Sequence, residues 1–103
     1  NDVRYFSEGL SGVKQDDKWG FIDKTGEVVI PPTYDAVGYF SEGLSDVKQD
    51  DKYGFIDKTG KVVIPLIHND VRYFSEGLSG VKQDDKWGFI NKKGVSPYPL
   101  PEF

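Results

Sequence analysis

The fold is decided by residues 18–34, which read KWGFIDKTGEVVIPPTY. Residues 18–23 combine aromatic and β-branched side chains, which strands prefer. Lys24-Thr25-Gly26 then supplies a short hairpin connection, because its glycine can take a positive φ. Residues 27–30 are expected to form another strand, since three of them are β-branched apolar residues, and we expect Pro31-Pro32 to end it. The stretch therefore predicts two antiparallel strands joined by a tight turn.

A further strand precedes this hairpin in the chain. Residues 10–15 are expected to form it, and Asp16-Asp17 to end it, because aspartate side chains bond the local backbone in turns. Residues 33–43 connect one hairpin unit to the next, and Tyr39–Gly43 is expected to hold one helical turn. No window carries a helical stripe of apolar residues, so the sequence predicts an all-β fold.

The same pattern recurs every 34 residues along the chain. Residues 1–34 and 35–68 are two complete copies, which agree at 25 of 34 positions. Residues 69–94 are a partial third copy, which agrees with copy one at 24 of 26 positions and with copy two at 19. The copies thus alternate in an A-B-A pattern. This pattern fits the duplication of a two-copy unit, and it also fits a selection of neighbouring copies for different environments. We favour duplication, because it needs no structural argument.

The third copy departs from the pattern after Gly94. Residues 95–103 read VSPYPLPEF where the other copies continue into their third strand. Alternating prolines fix φ and remove backbone donors, so this tail is predicted to be extended or disordered. Eight strands are then expected: three first strands, three second strands and two third strands.

The predicted strands are apolar on both faces. In residues 18–23, Trp19 and Phe21 point one way and Ile22 the other, because side chains alternate along a strand. Such a strand cannot lie on a sheet with one face in water. Each three-stranded antiparallel module must therefore pack against its neighbours, in an array of solenoid or open-propeller character. The predicted core positions are Trp19, Phe21, Ile22, Tyr53, Phe55, Ile56, Trp87, Phe89 and Ile90.

Residues 18–34, followed by Phe40–Leu44, closely resemble the WG-repeat (KWG-type) family of bacterial β-repeats. The resemblance covers residues 1–94. The chain departs from the family pattern at Tyr53, which replaces a tryptophan, and at Leu66-Ile67-His68, which replaces Pro-Thr-Tyr. The resemblance implies a non-enzymatic array and supplies no catalytic residues.

Composition narrows the classes of function. The chain has 13 Lys and Arg against 17 Asp and Glu, a net charge of −4, which argues against nucleic-acid partners. It has no cysteine, which excludes a disulfide framework and a thiolate metal site. No run approaches 18 apolar residues and the chain opens on polar residues, so we expect neither membrane insertion nor a signal peptide.

The candidate chemical groups have simple structural interpretations. His68 is the single histidine and is predicted to be an ordinary loop residue. The pairs Asp16-Asp17, Asp50-Asp51 and Asp84-Asp85 lack the alternating ligands and trailing glutamate of a helix-loop-helix calcium site, so they are interpreted as solvated turns. We expect no cofactor, no metal and no catalytic residue.

Periodic aromatic residues give the one candidate ligand surface. Tyr5, Tyr39 and Tyr73 recur once per copy in the connecting loop, where they can stack on sugar rings or hold a quaternary ammonium group. The favoured function is a β-repeat scaffold for protein–protein contact. It includes self-association through the uncovered ends of the array, by docking or strand exchange. The alternatives are a carbohydrate or cell-wall binding module, and an assembled or designed repeat protein without a native ligand.

Overall fold

The computed structural model describes residues 4–96, which contain ten β-strands and no helix. The strands form three open antiparallel sheets, in the orders β1-β2-β3, β4-β5-β6-β7 and β8-β9-β10. Each sheet lies within one 34-residue copy, and the predicted all-β array is confirmed. The strands are β1 Leu10–Gln15, β2 Lys18–Asp23, β3 Val28–Tyr34, β4 Ala36–Val37, β5 Leu44–Gln49, β6 Lys52–Asp57, β7 Val62–His68, β8 Asp70–Val71, β9 Leu78–Gln83 and β10 Lys86–Asn91.

The structure has two more strands than the expected eight. They are β4 and β8, which are two residues long and lie in the segment predicted to be a loop. Val37 of β4 lies opposite Val47 of β5, and Val71 of β8 lies opposite Val81 of β9. In the second and third sheets the connecting segment is therefore part of the sheet, because its valine is held against the strand that follows it.

The helical turn expected at Tyr39–Gly43 is wrong. Ser41 N–H donates to Leu44 O at 2.9 Å and Leu44 N–H donates to Ser41 O at 3.1 Å, which closes a two-residue hairpin turn. Its central residues, Glu42 and Gly43, have φ values of 54° and 81°. Two positive φ values match the twist of the flanking chain, as in a type I′ turn. A right-handed helical turn is excluded by this geometry.

The prolines after Ile30 do not end the third strand, contrary to the prediction. β3 continues to Tyr34, and the register pairs Phe21 with Ile30 but Trp19 with Tyr34. A step of two residues along β2 is therefore matched by a step of four residues along β3. The extra residues form a bulge that contains Pro31-Pro32. Proline is tolerated there because β3 is an edge strand of its sheet, where the missing N–H is not needed for pairing.

The bulge explains the glycine that follows the tryptophan. A Cβ on Gly20 would overlap the carbonyl oxygen of Ile30 and lie 2.7 Å from the carbonyl carbon of Pro31. Gly54 is placed in the same way, with a Cβ lying 2.7 Å from the Pro65 carbonyl carbon. The backbone of the bulge thus lies directly on these glycines, and no side chain fits at either position.

We expect Gly54→Ala to destabilise the fold by about 1–3 kcal/mol, because the added methyl group must displace backbone. The matched control is Gly80→Ala, whose Cβ would meet its nearest neighbours at 3.5 Å or more. Urea unfolding of both variants measures the difference. Equal midpoints for the two variants would contradict the packing of the bulge on Gly54.

The hydrophobic core lies between the sheets, in two clusters. At each junction a phenylalanine of the Lys-Trp/Tyr-Gly-Phe strand, β2 or β6, contacts edge to face the phenylalanine that precedes the Ser-Glu-Gly-Leu turn of the next copy. The ring centroids of Phe21 and Phe40 are 4.7 Å apart, and those of Phe55 and Phe74 are 4.8 Å apart. The first cluster comprises Leu10, Trp19, Phe21, Ile30, Val37, Phe40, Val47 and Ile56. The second comprises Leu44, Phe55, Ile64, Val71, Phe74, Val81 and Ile90.

The predicted core positions divide according to their place in the array. Trp19, Phe21, Phe55, Ile56 and Ile90 are buried, whereas Ile22 and Tyr53 are half-buried.

Two residues expected in the core are instead exposed: Trp87 is 44% accessible and Phe89 is 56% accessible. The reason is their position in the third sheet. No sheet covers its far face within residues 4–96, and its third strand is missing from the same range. Most of the predicted tail lies outside the described residues. Its first residue closes the last hairpin, where Asn91 N–H donates to Val95 O at 2.8 Å.

Candidate functional site

A ladder of polar contacts joins each copy to the next. Ser7 Oγ donates to Phe40 O at 2.7 Å, and Ser41 Oγ donates to Phe74 O at the same distance. Both bonds run from the serine of one two-residue turn to the backbone just before the next turn. The repeating sequence Ser-Glu-Gly-Leu therefore supplies junction contacts as well as turns.

The glutamates of the first two turns, Glu8 and Glu42, each cap the turn of the following copy. The Glu8 carboxylate accepts from Glu42 N–H at 2.8 Å and Gly43 N–H at 2.9 Å, and Lys58 Nζ lies 3.5 Å from it. The Glu42 carboxylate accepts from Gly77 N–H at 2.8 Å, with Lys92 Nζ at 3.6 Å. These carboxylates satisfy backbone donors that a type I′ turn leaves unpaired.

These contacts lower the pKa of both glutamates. The Gly77 amide, helped by the Glu76 amide and Lys92, holds the pKa of Glu42 below its ordinary value, although desolvation opposes this. For Glu8 the largest influence is burial, which raises the pKa, but the Gly43 and Glu42 amides and Lys58 together outweigh it. Each junction is therefore built around an ionised carboxylate.

Because the folded-state pKa of Glu42 is depressed, its stabilising contribution is present above the ordinary glutamate pKa of 4.5 and is lost as the pH falls through the folded value. We expect Glu42→Gln to lower the urea midpoint at pH 7 and to reduce the further loss of stability below pH 4.5. Glu27→Gln is the control, since its exposed carboxylate has no partner among residues 4–96. Parallel pH profiles for Glu42→Gln and the parent chain would contradict this role.

The three candidate tyrosines line one cavity. Tyr5 and Tyr39 stack on each other, with ring centroids 4.5 Å apart and planes at 19°. Tyr5 is 72% exposed and Tyr73 is 66% exposed, whereas Tyr39 is half-buried. The cavity has a volume of about 540 Å³ and contacts all three copies. Its lining comprises Tyr5, Ser7, Glu8, Gly38, Tyr39, Phe40, Ser41, Asp46, Val71 and Tyr73.

Copies one and three place an arginine beside this row of tyrosines. The Arg4 guanidinium lies over the Trp19 ring, 4.3 Å from its centroid, and its Nη1 donates to Val37 O at 2.5 Å. Arg72 lies over Trp87 in the same way, at 4.4 Å. Both are cation–π contacts between an arginine that precedes the Ser-Glu-Gly-Leu turn and the tryptophan of β2 or β10.

Copy two replaces this arrangement. Gly38 stands at the position of Arg4, and Asp46 stands at the position of Gly12. The two are cross-strand neighbours, since Gly38 N–H donates to Asp46 O at 2.9 Å. A Cβ on Gly38 would overlap the Asp46 carboxylate, which therefore lies on the glycine. Burial raises the pKa of Asp46, against the opposing influence of its own backbone and of Arg4.

His68 is not the loop residue that the sequence predicted. It ends β7, opposite Tyr53, and is 7% exposed. Its Nδ1 has no hydrogen-bond partner among the described residues, and burial lowers its pKa. The prediction failed because the strand continues through the bulge after Ile64, which carries the histidine into the sheet.

The aspartate pairs lie in exposed two-residue turns between the first and second strands. Asp16 and Asp17 have φ values of 52° and 66°, and the pairs of the other copies repeat these values closely. Within residues 4–96, no group of three or more His, Cys, Asp and Glu side chains is arranged to hold a metal ion. The same residues contain no helix with the length and apolar character needed to cross a bilayer.

Comparison with known families identifies the chain. The family model of the WG containing repeat matches three consecutive segments, residues 1–19, 19–53 and 53–87. The chain therefore belongs to the WG containing repeat family, a family of repeat modules that is not known as enzymatic. No curated protein and no solved structure matches it.

Sequence reasoning missed the junction role of Ser7 and Glu8 and their copies. The available signal was the repetition of Ser-Glu-Gly-Leu in all three copies beside a predicted loop. The capping contact itself depends on the stacking of one copy on the next, which a single copy does not reveal.

Proposed function

We propose that this chain is a repeat scaffold that associates with further copies of itself, end to end. The proposal rests on one observation: an edge-to-face phenylalanine pair repeats at both internal junctions, and one phenylalanine at each end of the array lacks its partner among the described residues. Phe21 pairs with Phe40, and Phe55 pairs with Phe74. Phe89 is the third-copy counterpart of Phe21 and Phe55, and Phe6 is the first-copy counterpart of Phe40 and Phe74. Neither has its pairing partner within residues 4–96: Phe89 is 56% exposed and Phe6 is 40% exposed. An edge-to-face pair of this kind is worth about 0.5–1.5 kcal/mol beyond its area.

The apolar surroundings of these two rings are complementary as well. The near end face consists of Phe6, Val13 and Ile22, whose counterparts Phe40, Val47 and Ile56 are buried in the first cluster. The far end face consists of Leu78 and Phe89, whose counterparts Leu44 and Phe55 are buried in the second cluster. Docking of a far end face on a near end face repeats an internal junction of the chain.

Polar groups at the two ends support the same register. Ser75 and Glu76 at the far end have side chains without hydrogen-bond or ion-pair partners among residues 4–96. Their counterparts in the other copies bind the following turn. In the second copy, the Glu42 and Gly43 amides and the Lys58 ammonium bind the Glu8 carboxylate of the preceding copy. The corresponding groups at the near end are the Glu8 and Gly9 amides and the Lys24 ammonium. A Glu76 carboxylate seated there caps the turn of the next chain.

The contact joins two different surfaces, so it is heterologous. A heterologous contact closes into a ring when the rotation between subunits permits, and otherwise runs on as a filament. In either case each chain uses both ends. Blocking one end of each of two chains must therefore leave a single productive contact between them.

We expect Phe6→Glu and Phe89→Glu each to abolish self-association, because each places a charge in the apolar centre of the junction. A 1:1 mixture of the two variants is expected to form a heterodimer through the one pair of intact ends. Size exclusion with light scattering, repeated over a hundredfold dilution, measures the masses. The control is Ile67→Glu, which charges an exposed apolar residue of the central copy and leaves both end faces intact.

A parent chain that remains monomeric at every concentration contradicts the proposal. So does a mixture of the two blocked variants that stays monomeric while the parent chain associates, because that result requires a contact between like faces or an exchange of strands. Circular dichroism of each variant checks that the fold is retained. Both phenylalanines are already partly exposed, so their substitution leaves the two internal clusters intact.

Carbohydrate binding is the second candidate, and the shared cavity of Tyr5, Tyr39 and Tyr73 favours it. Exposed aromatic rings stack on sugar faces, but the Tyr5–Tyr39 stack already covers one face of each of these rings. This candidate requires that the parent chain be retained on a glycan column and that the triple change of these tyrosines to alanine lose the retention. Passage of the parent chain without retention contradicts it.

A further inference from the structure

Copies one and two differ by a reciprocal exchange of side chains. Copy one has Arg4 opposite Gly12, and copy two has Gly38 opposite Asp46. Copy two thus lacks the arginine of copy one at residue 38, and it carries an aspartate at residue 46 on the neighbouring strand. The exchange therefore removes a guanidinium from the second junction and leaves a negative charge beside the place that it would occupy.

The surroundings of the missing guanidinium are still present in the second junction. In the first junction Arg4 donates to Val37 O and lies 5.7 Å from the centroid of Tyr39. The residues one copy further on are Val71 and Tyr73, and both line the cavity of about 540 Å³ together with Gly38 and Asp46. The cavity therefore presents the Val71 and Tyr73 part of the surface that an arginine contacts in the preceding junction. The counterpart of Trp19 is Tyr53, which lies outside the cavity lining and has the Lys48 ammonium 5.5 Å from its ring centroid.

The carboxylates that line the cavity determine which class of ligand it can bind. The cavity contains two carboxylates, and that of Glu8 is already held by two backbone amides and Lys58. The Asp46 carboxylate forms no ion pair within residues 4–96. Desolvation and the charge of Asp70 raise its pKa and disfavour its charged form, although its own backbone and Arg4 oppose this. A cation placed beside it relieves this cost. The cavity volume lies within the range of about 300–1,000 Å³ typical of ligand sites.

We propose that this cavity binds an arginine side chain of a protein partner, with the guanidinium paired to Asp46 and lying against Tyr73. A guanidinium suits the site better than an ammonium, because it is planar, weakly hydrated and able to bind a carboxylate and an aromatic face together. The site lies at the centre of the array. The end-face residues Phe6, Val13, Ile22, Leu78 and Phe89 do not line this cavity, whereas Ser7 and Glu8 of the near-end turn do.

The test is titration of the ¹⁵N-labelled chain with Nα-acetyl-arginine amide, followed by NMR chemical shifts. We expect saturable shifts at Gly38, Asp46, Val71 and Tyr73, with a Kd on the order of 1 mM, as suits one side chain. The citrulline analogue has nearly the same shape without the charge, and it is expected to bind about tenfold more weakly or less. Nα-acetyl-lysine amide measures the preference for a guanidinium over an ammonium.

Two variants separate the site from the fold. Asp46→Asn keeps the shape of the side chain and removes its charge, and we expect at least a tenfold loss of arginine affinity. The double variant Gly38→Arg with Asp46→Gly installs the pair that copy one already carries, and refills the site with the chain's own guanidinium. It is expected to stay folded and to show no saturable shifts.

Equal binding by the arginine and citrulline amides would overturn the proposal, as would unchanged affinity in Asp46→Asn. Shifts that persist in the refilled double variant would place the ligand elsewhere and overturn it too. Binding of a neutral oligosaccharide at the tyrosines, without any response to arginine, would replace it with the carbohydrate candidate.

Discussion

The edge-to-face contact between Phe21 and Phe40, repeated by Phe55 and Phe74, is the interaction on which this structure depends. Each ring is buried only because a neighbouring sheet covers it. A sheet of three or four short strands with apolar residues on both faces cannot bury them alone, so stability arises at the junctions. The serine and glutamate ladder then fixes the register of each junction, since a shift of one sheet separates the carboxylates from the turns they cap.

The features that follow from the period of the apolar and turn residues were predictable from the sequence. The all-β class, the 34-residue step and the first two strands of each copy follow from alternation and turn residues, and the structure has them at the expected positions. Sequence reasoning failed where a backbone conformation depends on a neighbouring element. The Ser-Glu-Gly-Leu turn, the bulge at Pro31-Pro32 and the burial of His68 all depend on contacts made after the strands have paired.

The candidate site was predicted only in part. The tyrosines were recognised from their spacing, and they do line one cavity. The roles of Gly38 and Asp46 depend on a cross-strand register that no single copy reveals. This exchange also gives the A-B-A pattern a steric counterpart in copy two, because a Cβ at Gly38 would overlap the Asp46 carboxylate. Duplication as the origin of the pattern stays a prediction.

The near-identity of the first and third copies has a consequence for the folding of the chain. Each sheet pairs strands that are close in sequence, and the cores join adjacent copies, so most contacts are local and folding is expected to be rapid. The first and third copies differ at only two of 26 shared positions, yet each meets the central sheet through a different face. During refolding the central sheet must therefore distinguish two nearly equivalent partners. Chain connectivity favours the correct one at low concentration, whereas crowded nascent chains compete for the same central surface.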